Sequence, residues 1–140
     1  MTLYSSVVAV HVMANFIAFG VWFAWPLLPG ETAPAHRARA RILRVVVTRA
    51  ATVALVAGVY LAAVAGIFGK VWALVPLVIM VGLGMTGSYL VPGELRLADL
   101  AEGGESEQYA ALERRVRRAV LAGAGLVVVA TFLMVLKPGG

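Results

Sequence analysis

The sequence predicts an all-α polytopic membrane protein with four transmembrane helices, and three observations carry that reading. Apolar residues make up 61% of the 140 positions and charged residues only 14%. With a mean hydropathy of +0.91, that balance fits no soluble class. Four apolar stretches, residues 7–28, 45–68, 71–91 and 116–136, each match the roughly 20 residues that cross a bilayer as a helix. The basic residues fall almost entirely in two connections, 29–44 and 92–115, and the span edges that adjoin them. Such clustering marks cytoplasmic loops.

Composition also excludes whole classes of chemistry. With no cysteine, the chain has no disulfide, Cys-ligated zinc, iron–sulfur cluster or thiol nucleophile. The formal charge of +5 does not imply nucleic acid, because the arginines flank apolar spans and lack interleaved aromatics that would stack bases. No nucleophile–base pair, carboxylate pair or phosphate-cradling glycine loop stands out.

The first span opens after a short N-terminus, Met1 to Ser6, without the basic region of a secretory signal. It is therefore read as a permanent span despite the signal-like Ala33-Pro34-Ala35 beyond it. Trp22 and Trp25 mark an interfacial belt, and Pro26, Pro29 and Gly30 a helix stop. The second span follows His36, Arg37, Arg39, Arg41 and Arg44. Its small residues Ala50, Ala54, Gly58, Ala62 and Gly66 recur every fourth position, a ridge that lets another helix backbone approach closely. Arg49 lies near enough to the interface to snorkel, and Thr48 and Thr52 can bond to preceding carbonyls.

A turn, Gly66 to Lys70, leads into the third span, where Pro76 with Gly82, Gly84 and Gly87 predicts a kink. Pro92-Gly93 is expected to end it. A short amphipathic helix over 94–100, a break at Gly103-Gly104 and a new helix from about Ser106 should follow, the last running into the fourth span. Lys137-Pro138-Gly139-Gly140 closes the chain as a single domain. Counting Lys and Arg places both termini extracytoplasmic, with all seven acidic residues on the cytoplasmic side. The similar endings Trp25-Pro26-Leu27-Leu28-Pro29-Gly30-Glu31 and Tyr89-Leu90-Val91-Pro92-Gly93-Glu94 suggest two helical hairpins in parallel repeat.

His11 and Asn15 are the candidate site. They sit four apart, on one face of the first span, and polar groups inside hydrocarbon need partners or a lined cavity. An imidazole there is a candidate ligand for haem iron, copper or zinc, or a packing residue bonded to a neighbouring helix; Asn15 would orient it or join helices. Met13, Met80, Met85 and Met134 offer soft ligands for Cu(I). Tyr60 and Tyr89 are candidate donors into the bundle, and Glu31 and Glu94 with Arg49 and Arg118 candidate ion pairs at the cytoplasmic mouth.

His11, the small-residue span ending Ala57-Gly58-Val59-Tyr60-Leu61, and the closing Phe132-Leu133-Met134-Val135-Leu136-Lys137-Pro138 resemble a family of four-helix bacterial integral membrane proteins related to the membrane part of the copper-resistance D proteins. Trp22-Phe23-Ala24, His11, His36 and Lys137-Pro138 also resemble, more distantly, the haem-binding bacterial protoporphyrinogen oxidase. That family carries a further histidine where this chain has Gly87-Ser88-Tyr89-Leu90. The resemblances imply a four-helix fold in a bacterial inner membrane, and the second also implies haem binding; imidazole chemistry makes haem b or copper at His11 the candidate cofactors. Three functions are then expected: a haem- or metal-binding module using His11, with a homo-oligomer completing the ligand set; a small channel or transporter lined by His11 and Asn15; or an accessory subunit of a membrane complex.

Overall fold

The computed structural model describes residues 2–28 and 30–136; Met1, Pro29 and the closing 137–140 segment lie outside them. The fold is all-α, with no strand among the described residues. Its four helices, Leu3–Ala24, Ala33–Val64, Val71–Gly103 and Ser106–Leu136, are each long and apolar enough to cross a membrane. The first packs mainly on the Thr48–Val64 part of the second and the third mainly on the fourth, while the opening Ala33–Ile42 turns of the second lie against the third. Within lipid a helix satisfies its own backbone hydrogen bonds, which is why apolar segments of this length take that form.

Local signals place most helix ends. Thr2 caps the first helix by accepting from the Ser5 amide at 3.3 Å, which occupies one of the donors a helix start leaves free. A single turn, Trp25–Leu27, closes it. Gly66 and Gly104 take φ of 65° and 73°, values that glycine reaches without a Cβ penalty, and they let the chain reverse after the second and third helices. Within the second helix, Leu43–Val47 forms a wider turn of π type. There the Thr48 hydroxyl donates to the Leu43 carbonyl, five residues back, at 3.1 Å.

Two sequence expectations change in physical terms. The third helix does not stop at Pro92-Gly93 but runs on to Gly103. Burial of Glu94, Leu97, Ala98 and Leu100 outweighs the hydrogen bond that a mid-helix proline forfeits. Gly93 helps, because a Cβ there would come within 3.1 Å of Val116 on the fourth helix. Trp22 and Trp25, expected in an interfacial belt, are instead buried in the bundle. Trp22 occupies the space that any Cβ at Gly123 would need, and Arg39 lies 5.4 Å from the Trp25 ring centre, a cation–π distance.

Candidate functional site

His11 and Asn15 meet the second helix at its small residues. His11 Nδ1 lies 2.8 Å from the Ala54 carbonyl oxygen, and its Nε2 lies 2.9 Å from Asn15 Nδ2. A carbonyl can only accept, so Nδ1 carries the proton and Nε2 accepts from the carboxamide. Ala54 is fully buried, and a Cβ on Gly58 would come within 2.9 Å of His11 Cε1. The imidazole therefore fills the groove left by two small side chains. Of the remaining small residues, Ala50 and Ala62 are half-buried and Gly66 belongs to the exposed turn.

His11 and Asn15 line a cavity of about 140 Å³ with Trp72, Pro76, Met80 and Met134. That volume is below the roughly 300–1,000 Å³ of pockets for drug-sized ligands, and a porphyrin would not fit. The imidazole lone pair is already engaged by Asn15, so iron ligation would break that bond. Within one chain, then, the residues around His11 do not enclose a haem. Met13 and Met85 are exposed on the bundle exterior, as are Tyr60 and Tyr89.

A larger space opens beside it. A cavity of about 530 Å³ lies between the first three helices and shares Phe19, Leu55 and Met80 with the His11 cavity. Its wall is mostly apolar, with Arg44 as its one charged residue and Thr48, Thr52 and Ser88 as hydroxyl-bearing ones. The π turn supplies Leu43, Arg44 and Val47. Such turns recur at functional positions in helices.

The second polar cluster lies at the charged end of the bundle. His36 and Glu94 are each 0% exposed, with Nδ1 2.6 Å from Oε2. On the other side of the ring, Nε2 is 2.8 Å from the Tyr109 hydroxyl oxygen, and that hydroxyl is also 3.1 Å from the Gly30 carbonyl oxygen. The phenol stands edge-on to the imidazole, centres 5.7 Å apart. Glu94 Oε1 and Arg39 Nε are buried without a hydrogen-bond partner among the described residues. His36, Glu94 and Arg39 also line a cavity of about 140 Å³ with Glu113 and Arg117. Tyr109 belongs to the polar opening turns of the fourth helix, ahead of the apolar span. Burial pushes its phenol up, reinforced by Glu113, Glu31 and Glu94 and opposed by Arg39.

The ion pairs expected at the mouth take other partners. Glu94 pairs with His36, and Arg37 makes a two-pronged contact with Glu102 at 2.7 and 2.8 Å, with Asp99 at 3.9 Å. The Arg37 hydrogen bonds hold the Glu102 carboxyl below its usual range and raise the guanidinium in turn.

The joint role of His36, Glu94 and Tyr109 is not apparent from their chemistry, because two of the three stand in charge-rich stretches. Spacing carries the signal. Ala33, His36, Ala40, Leu43 and Val47 are all buried, as are Leu83, Leu90, Glu94 and Leu97, and both sets advance by threes, fours or sevens, the stride of one helix face. No family model, curated protein or solved structure matches the chain.

Proposed function

We propose that this chain is a small membrane binding or transport module that takes an anionic amphiphile between its first three helices. The observation that carries the reading is the cavity of about 530 Å³, apolar along its length and bordered by Arg44. Its volume lies within the range for ligands that bury most of their surface. An apolar chain would occupy the space beside Phe19, Leu55 and Met80, and an anionic head would face the guanidinium of Arg44. The adjoining His11 cavity, which shares Phe19, Leu55 and Met80 with this one, supports a transport reading in which a path past those three side chains would reach His11 and Asn15.

In this reading the arginine-rich ends lie on the cytoplasmic side of a bacterial inner membrane, with both termini outside. Exposed apolar residues on every helix meet lipid or a further copy of the chain in a homo-oligomer.

The test uses a brominated fatty acid, whose bromines quench indole fluorescence on contact, added to the protein in lipid nanodiscs. Trp22 lines the cavity, so saturable quenching is expected. It should be lost in Trp22→Phe, weakened in Arg44→Gln, and reversed by the unbrominated acid. A brominated phospholipid in place of the free acid separates the two sources of the same chemistry. Quenching that rises without saturation and ignores Arg44→Gln would overturn the reading.

A second reading rests on Met80 and Met134, whose side chains line the His11 cavity. Two thioethers and an imidazole suit Cu(I), although Asn15 would have to release Nε2. Elemental analysis after copper(I) loading checks it. Bound copper in the wild type and none in His11→Ala would favour it, while a metal-free wild type would discard it.

A further inference from the structure

The buried cluster at the charged end has a proton count that its geometry does not fix. Tyr109 has one hydroxyl proton and two acceptors within reach: the Gly30 carbonyl oxygen at 3.1 Å and His36 Nε2 at 2.8 Å. It can serve only one of them. If it serves Gly30, Nε2 must itself carry a proton, which it donates to the phenol oxygen. The 2.6 Å contact between Nδ1 and Glu94 Oε2 needs a second proton, held by either atom. Imidazole and carboxyl together then carry two protons and no net charge. If the phenol instead serves Nε2, that nitrogen is bare, Nδ1–H donates to a Glu94 carboxylate, and the pair carries one proton and a charge of −1.

We propose that His36, Glu94 and Tyr109 form a proton-binding site whose occupancy decides whether the Tyr109 hydroxyl holds the Gly30 carbonyl or the His36 ring. The ligand is a single proton, and the balance closes: uptake adds one proton to the imidazole–carboxyl pair and turns the hydroxyl from Nε2 to Gly30. Release reverses both. Uptake therefore ties the fourth helix to the connection before the second helix, and loss of the proton unties it.

The surroundings suit this exchange. Facing groups are Glu31 in the connection, Arg39 on the second helix, and Glu113 and Arg117 on the fourth; the first helix contributes no charged side chain. Arg39 and Arg117 offset the charge of −1 in the released state, and Glu31 and Glu113 oppose it. Glu94 Oε1 has no partner among the described residues, so the carboxyl can change protonation without breaking a bond at that oxygen. This inference stands apart from the amphiphile reading and uses none of its residues.

The chain has only two histidines, which makes the test direct. Solid-state NMR of ¹⁵N-histidine-labelled full-length protein in lipid bilayers reads the protonation of each ring nitrogen, and the His36→Gln spectrum identifies His11. Across the pH range in which the protein stays folded, His36 Nε2 should lose its proton as pH rises while His11 keeps Nδ1–H throughout. In Glu94→Gln, which preserves shape, the His36 transition should move or vanish. Wild-type His36 nitrogens that stay unchanged across the range would overturn the proposal, and so would a Glu94→Gln protein that titrates at the wild-type pH. Should that variant fail to fold, the wild-type titration decides alone.

Discussion

The two histidines engage both ring nitrogens, yet their partners differ in kind. His11 sits between a backbone carbonyl and a carboxamide, neither of which titrates, so its tautomer is fixed by partners that cannot exchange a proton. His36 sits between a carboxyl and a phenol, which can. The difference lies in the groups that each fold position supplies, because the imidazole is the same. Within a membrane bundle, the number of bonds a polar residue makes says less about its role than whether those partners can change state.

The sharpest break of this contrast removes one partner at each site. Glu94→Ala should lower stability by about 3–5 kcal/mol, the usual cost of leaving one member of a buried pair uncompensated. Glu94→Gln should cost less, because an amide can still bond to Nδ1. Asn15→Ala at the other histidine should cost only about 1 kcal/mol, typical of interhelical polar contacts in membranes. Reversible unfolding in mixed micelles measures all three, and an Asn15→Ala loss equal to that of Glu94→Ala would erase the distinction.

Packing sharpens it further. Gly58→Ala brings a Cβ within 2.9 Å of a ring held at both nitrogens, so the ring or the helix must shift. Overpacking of this kind typically costs about 1–3 kcal/mol. Gly82→Ala in the third helix meets nothing within 4 Å and should be neutral or slightly stabilising, since alanine restricts the unfolded chain. The same unfolding assay compares them. Equal effects at the two glycines would mean that the His11 ring yields freely.

How much of this the sequence disclosed follows from the physics of each feature. The four helices were readable because length and hydropathy alone determine what can span lipid, and the face shared by His11 and Asn15 follows from a spacing of four. The run through Pro92 was not readable, since local propensity argues against it and only burial of residues 94–100 against other helices reverses the balance. The His36 cluster was hidden for a related reason. Its histidine lies among Arg37, Arg39 and Arg41, and charge dominates composition there even though the three-and-four spacing of Ala33, His36 and Ala40 points inward. Tyr109, 73 residues from its imidazole partner, gives no local sign of that pairing.

The smallest expected effect concerns the exposed counterpart of the buried pair. Arg37 and Glu102 meet in good two-pronged geometry, but their side chains are 49% and 54% exposed, where solvent screening leaves little net gain. Because Arg37 holds the Glu102 carboxyl below its ordinary value, the contribution is present above that value and is lost as pH falls through the folded-state value. Arg37→Gln should therefore match the wild type at acid pH and differ from it slightly at neutral pH, with the difference shrinking in high salt. Thermal unfolding of both proteins at the two pH values measures the gap. If the gap instead equalled the effect of Glu94→Ala, burial would not be what separates the two carboxylates, and the weight assigned to the His36 cluster would have to be shared with the surface.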